Sequence, residues 1–233
     1  MHELIHQNAP SPNQNDRAAP VSMVVMHYTG MQSGEEALER LCDPRSQVSA
    51  HYLIDEAGKV FTMVPEERRA WHAGRSYWRG VTDVNSASIG IELVNPGHEW
   101  GYRPFPDAQM ASLLPLLAGM VKRWDIPRAN VVGHSDVAPM RKEDPGELFD
   151  WELLAAHKLA LPRPKLRIPS PYANDGAFFL ALERFGYDVA DGPAAMRAFQ
   201  RRWRPHAIDG LVDGECSAIL FALLLDRDTG KTR

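Results

Sequence analysis

Val21-Ser22-Met23-Val24-Val25-Met26-His27-Tyr28-Thr29-Gly30 is a short apolar run, partly β-branched, that ends in a histidine and closes on a glycine. A bounded run of this kind reads as a strand buried on both faces, as in the sheet of an α/β protein. Further along the chain, Ser88-Ile89-Gly90-Ile91-Glu92-Leu93-Val94 is a second apolar stretch, read as a central strand that carries a carboxylate at an otherwise core-like place. Val131-Val132-Gly133 is a third, with His134 at its end. His51-Tyr52-Leu53-Ile54 and Lys59-Val60-Phe61-Thr62-Met63-Val64 flank Asp55-Glu56-Ala57-Gly58, a hairpin signal in which glycine is free to take positive φ. From Asp107 to Trp124 apolar residues such as Met110, Leu113, Leu117 and Met120 recur at helical spacing, so one face packs on the sheet; Pro115 is expected to kink that helix. The fold class is accordingly α/β, a mixed β-sheet flanked by helices.

Residues 1–20 are rich in Pro, Asn and Gln without periodicity and read as a poorly ordered lead-in to a first domain at 21–161. Four prolines in 162–171 read as a semi-rigid linker. Beyond it, 172–233 reads as a small separate domain with helices at 175–185, 193–203 and 213–225, Pro193 sitting at a first-turn position and Asp213 at an N-cap. Phe199 and Leu211 are expected in its core, and Arg201, Arg202 and Arg204 on a solvated face, with a contact surface for an anionic glycan peptide as the alternative.

A net charge of −4, from 30 acidic and 26 basic residues with no long run of either sign, argues against a nucleic-acid partner. The two cysteines, Cys42 and Cys216, lie too far apart in sequence to suggest a disulfide framework. No apolar run approaches the roughly 20 residues needed to span a bilayer. The N-terminus has neither the apolar stretch of a secretory signal nor a lipid-attachment cysteine, so the chain is expected in the cytoplasm, or in the periplasm should the native start lie upstream.

The chemistry concentrates in Gly133-His134-Ser135-Asp136-Val137-Ala138-Pro139 followed by Arg141-Lys142-Glu143-Asp144-Pro145-Gly146. His134 and Asp144 are joined by a proline-containing loop that lets both converge on a metal, and His27 at a strand end supplies a third ligand. Two histidines and one aspartate leave the fourth tetrahedral position open, as in catalytic rather than structural zinc sites, although nitrogen and oxygen donors also admit manganese or cobalt. Taken singly, a strand-end histidine is more often a core residue and an aspartate before proline a turn residue. What joins them is a pattern.

His27-Tyr28-Thr29-Gly30, Trp71-His72-Ala73-Gly74, Ser88-Ile89-Gly90-Ile91-Glu92 and the segment 133–146 resemble, in order and spacing, the N-acetylmuramoyl-L-alanine amidase family of the AmpD and AmiD type. The peptidoglycan recognition proteins belong to the same group. The resemblance covers about residues 21–155 and implies a mixed sheet flanked by helices, one zinc per chain held by His27, His134 and Asp144, and peptidoglycan fragments or the sacculus as partner. It implies hydrolysis of the amide between N-acetylmuramic acid, its 1,6-anhydro form included, and L-alanine. Glu92 becomes the general base and Lys142 the oxyanion stabiliser. Trp71 and His72, with His51, Tyr52 and Arg68 nearby in sequence, look like groove lining, aromatic faces suiting sugar rings and arginine the peptide carboxylates. The segment around Ala198-Phe199-Gln200 and Asp209-Gly210 resembles a three-helix peptidoglycan-binding domain. The alternative within the family is a recognition protein that binds without cutting; in such proteins the zinc set is broken, usually at the third ligand, whereas here Asp144 is intact.

Overall fold

The computed structural model describes residues 6–165, 169 and 171–228. Residues 1–5 of the lead-in, 166–168 and 170 of the proline-rich segment, and 229–233 lie outside the described residues. The strands are β1 (His6–Asn8), β2 (Gln14–Asp16), β3 (Met23–Tyr28), β4 (Tyr52–Ile54), β5 (Val60–Thr62), β6 (Arg68–Ala70), β7 (Ser88–Leu93) and β8 (Val131–Gly133). The α-helices are α1 (Gly34–Cys42), α2 (Val84–Ala87), α3 (Gly97–Trp100), α4 (Asp107–Trp124), α5 (His134–Val137), α6 (Trp151–Ala156), α7 (Asp175–Phe185), α8 (Gly192–Trp203) and α9 (Gly214–Asp228).

Six strands form one sheet in the order β1-β5-β4-β7-β3-β8, while β2 and β6 pair separately. The sheet is mixed: β4 and β5 are an antiparallel hairpin, and β4, β7, β3 and β8 run parallel to their neighbours. Gly58 takes φ +84° in the hairpin turn, and a Cβ there would lie 2.5 Å from the Ala108 carbonyl oxygen, so glycine is required twice over. Helix α4 runs without interruption through Pro115. The carbonyl that the proline leaves without a partner belongs to Ala111, which is exposed as Pro115 is, so water can satisfy it.

The lead-in has more structure than its composition suggests. β1 runs parallel to β5 and β2 antiparallel to β6. Backbone groups hold it, with Ala9 N–H donating to Thr62 O at 2.9 Å and Ser11 N–H to Met63 O at 2.9 Å. The buried Asn13 side chain donates to Asp43 O and Val48 O. The strand side chains are largely exposed and polar while the backbone pairs with β5 and β6, and Ser11 and Asn13 are buried with partners; composition alone mistakes this for disorder.

The face of the sheet bearing Val24, Met26, Ile89 and Ile91 packs on Leu113, Leu117 and Met120 of α4. The opposite face bears Met23, Val25 and Val132, and these share one apolar cluster with Phe178 and Leu182 of α7, Phe199 and Trp203 of α8, and Leu220 of α9. Helices α7, α8 and α9 thus occupy the three spans expected, but instead of standing apart they pack on this sheet face through the shared cluster. Proline spacing reports a stiff connector, not the independence of the helices beyond it. Two further expectations change with it: Leu211 is exposed, and Arg201, Arg202 and Arg204 are buried rather than solvated.

Candidate metal centre

Parallel pairing of β3 with β7 sets Met23, Val25 and His27 beside Ser88, Gly90 and Glu92. With a side-chain period of two, these six share one face, and the isoleucines of β7 point to α4. His134 comes directly after β8, as the first residue of α5. The chain then returns through Ala138–Lys142, where Lys142 N–H donates to Ala138 O at 3.1 Å, and Ser135 N–H donates to Asp144 O at 2.8 Å. The return places Asp144 beside both imidazoles.

His27 Nδ1 and His134 Nδ1 lie 2.9 Å apart, and each is 3.0 Å from Asp144 Oδ2. All three residues are buried. A tetrahedral ion with ligand bonds of about 2.0–2.1 Å separates its ligand atoms by about 3.3 Å, close to this triangle. The far nitrogens show why Nδ1 is the free one. His134 Nε2 donates to Ala73 O at 3.1 Å, since a carbonyl can only accept. Ser88 donates its hydroxyl proton to Val84 O at 2.5 Å and therefore accepts from His72 Nε2 at 3.2 Å. His72 Nδ1 is left to accept from His27 Nε2 at 3.0 Å. Both Nδ1 lone pairs consequently face Asp144. The donor set and its tautomers fit zinc.

Electrostatics agree. Burial, then the neighbouring His134, lowers the His27 pKa to about 4, so it is neutral and ligand-competent at neutral pH. Burial alone would raise Asp144, but the imidazoles, His134 foremost, hold it well below the usual carboxylate range. Glu92 is the opposite case: burial pushes its carboxyl well above the ordinary value, the Asp144 charge adds to this and Lys142 opposes it. Its Oε2 is sealed from solvent with no hydrogen-bond partner among the described residues.

His27, Glu92, His134, Lys142 and Asp144 open on one cleft of about 420 Å³, which Trp71 and His72 also line. Three residues expected in the groove lie elsewhere. Tyr52 packs on the α4 side, one strand position out of phase, and its hydroxyl donates to Glu66 Oε1 at 2.8 Å. His51 is buried beside Gly90 on the same face as His72, accepting from Gly90 N–H and donating to Arg68 O, both at 3.0 Å. Arg68 sits in β6 and pairs with Asp16. His72 is less groove lining than the support of His27. Sequence reasoning missed Tyr28, His98 and Arg141, which also line the cleft. Tyr28 and Arg141 stand inside the quoted motifs and carried that signal; His98 Nδ1 lies 2.9 Å from Tyr28 Oη and had none.

The model of the N-acetylmuramoyl-L-alanine amidase family matches residues 17–147. The chain belongs to this family. AmiD of Escherichia coli, an N-acetylmuramoyl-L-alanine amidase, is 38% identical to the present amidase over 230 residues, 88% of this chain and 82% of its own. The 1,6-anhydro-N-acetylmuramyl-L-alanine amidase AmpD of Haemophilus influenzae is 36% identical over 162 residues, 61% of this chain and 86% of its own. A solved structure of E. coli AmiD with its substrate anhydro-N-acetylmuramic acid-L-Ala-D-gamma-Glu-L-Lys superposes at a TM-score of 0.80 and 36% identity, over 90% of this chain and 91% of that one. The present amidase has no helix among its described residues long and apolar enough to cross a membrane.

Gly90 gives the amidase a testable constraint. A Cβ there would lie 2.4 Å from His72 Cγ, so Gly90→Ala must displace the ring that fixes the His27 tautomer. Zinc affinity is expected to fall about 10- to 100-fold, the usual effect of losing a ligand's outer hydrogen-bond partner. Competition with a chromophoric chelator measures it, and unchanged affinity would show that His72 does not orient His27.

Proposed function

We propose that the protein is a zinc-dependent hydrolase of the amide between N-acetylmuramic acid, above all its 1,6-anhydro form, and the L-alanine of peptidoglycan peptides. The observation that carries this reading is a triangle of two bare imidazole nitrogens and one carboxylate oxygen, 2.9–3.0 Å on a side, with Glu92 on the adjoining strand, its Oε2 sealed and without a hydrogen-bond partner among the described residues. The substrates named for AmiD and AmpD support it.

Zinc, when held by His27, His134 and Asp144, supplies Lewis acidity and makes a water acidic enough to react near neutral pH. The remaining work belongs to the chain. Glu92, its pKa raised by burial, accepts a proton from the attacking water and returns it to the leaving amine of alanine. Lys142, on the cleft wall, places its ammonium toward the oxyanion that develops on the lactyl carbonyl. Trp71 offers an aromatic face to the sugar ring at the cleft mouth.

The test is Glu92→Gln, which keeps shape and removes the base. Release of alanine-terminated peptide from soluble anhydromuropeptide should fall about 100- to 10,000-fold with zinc still bound. Near-parental turnover in the zinc-loaded variant would remove Glu92 from the mechanism; Lys142→Ala, read the same way, tests the oxyanion role. Digesting sacculi with the same preparation ranks the two substrate forms. Stability should move the other way. A carboxyl whose folded pKa lies above its unfolded one loses stability as pH rises from the unfolded value, about 4.3, toward the folded one. Metal-free Glu92→Gln should therefore melt above the metal-free parent at pH 7, the gap closing below about pH 4.

A further inference from the structure

Arg201 and Arg202 of α8 are buried, and each reaches a different end of the segment 133–147 that carries His134, Lys142 and Asp144. Arg202 Nη1 donates to Asp136 Oδ2 at 2.8 Å and Nη2 to Val131 O at 3.1 Å, so one guanidinium ties β8 to α5 across the residue that ligates. Its plane lies over the Trp151 ring, 3.9 Å from the centroid, which fixes the direction of the fork. Asp136, itself buried, also accepts from Gly133 N–H at 2.8 Å and from the Tyr187 hydroxyl at 2.5 Å. Three donors thus converge on Asp136, two residues beyond His134. At the other end Arg201 Nη2 donates to Glu143 Oε1 at 3.1 Å, next to Asp144, and its Nε lies 3.8 Å from Glu147 Oε2.

A charged pair this deep is weak support for stability as such, because the loss of hydration offsets much of the attraction. What it supplies is direction: a bidentate guanidinium admits one arrangement of the groups it holds. We propose that α8 is a clamp on the metal-bearing segment, with Arg202, Asp136 and Tyr187 as positioning residues for His134, and Arg201 as the positioning residue for the Asp144 end. The C-terminal helices then act in the reaction as scaffold of the metal centre. The proposal rests on the zinc amidase reading above for the identity of the metal, but not for the contacts.

The test uses the full-length protein and the double variant Asp136→Asn/Arg202→Met, which removes both charges at nearly constant volume, with Tyr187→Phe and Arg201→Met alongside. Zinc affinity by chelator competition, the visible spectrum of the cobalt-substituted protein and the melting of the metal-free protein are read together. The double variant should fold with a melting temperature near the parent's, while zinc affinity drops about 10- to 100-fold and the cobalt bands shift. Tyr187→Phe and Arg201→Met should move the same readouts by a few-fold. A double variant that melts lower but keeps parental zinc affinity and cobalt spectrum has lost only a structural contact, and the clamp is overturned. If the double variant does not fold, Tyr187→Phe and Arg201→Met decide, and parental values in both overturn it. A parent that binds zinc yet releases no peptide from anhydromuropeptide sinks the amidase reading alone, since the affinity comparison still decides the clamp; a parent that binds no zinc overturns both.

Discussion

A chain ended after Leu161 is expected to be insoluble or molten and to hold no zinc. Removing 162–233 strips Phe178, Leu182, Phe185, Phe199, Trp203 and Leu220 from a cluster that also contains Met23, Val25, Trp78, Val132 and Val137. The part of the sheet face beside His27 that carries Met23 and Val25 would then meet water. Each large side chain so exposed forfeits up to about 1.5–3 kcal/mol of burial. Against a total stability of about 5–15 kcal/mol for a domain, the loss summed over these side chains is prohibitive. Near-ultraviolet circular dichroism, dye binding and zinc content of the truncated protein check this. A truncated chain that folds, carries one zinc and turns over soluble muropeptide at the parental rate would show the shared core to be dispensable.

How far the sequence reached depended on the kind of force at work. Apolar periodicity, the direct imprint of burial, placed β3, β7, β8, α4 and the three C-terminal helices. Motif spacing brought His27, His134, Asp144, Glu92 and Lys142 to one cleft. Where backbone groups do the holding, as in β1 and β2, polar composition gave the wrong sign. Where charge is buried by pairing, as at Arg201 and Arg202, an amphipathic pattern assigned to solvent what the fold places inside. Neighbourhood in sequence also misled. Tyr52 is near the groove residues in the chain, but one strand position decides which face of the sheet it joins. One legible signal went unused: Ser88, Gly90 and Glu92 alternate with Ile89, Ile91 and Leu93, which already marks Glu92 as lying on a small, polar face rather than in the apolar core.

His27→Ala, His134→Ala and Asp144→Ala should each abolish zinc binding and turnover, and the melting behaviour should reveal why. The metal-free parent holds two imidazole nitrogens and a carboxylate oxygen within 3.0 Å of one another, an arrangement that suits a cation. A ligand that binds only the folded state stabilises it by RT ln(1 + [L]/Kd), about 4.1 kcal/mol at a thousandfold excess over Kd. The parent should accordingly gain several degrees of melting temperature on zinc addition. Loss of an outer-sphere partner weakens metal binding about 10- to 100-fold, so loss of a ligand itself should exceed that range. At zinc concentrations that saturate the parent, the three variants should show no melting shift at all. Their own metal-free melting should stand at or below the metal-free parent's, because each substitution opens a cavity at a buried position and, at Asp144, removes a carboxylate that the imidazoles hold charged. Differential scanning calorimetry with and without zinc reads both quantities in one experiment. A variant that melts higher on zinc addition by as much as the parent does still has its metal, and the substituted residue is then not a ligand.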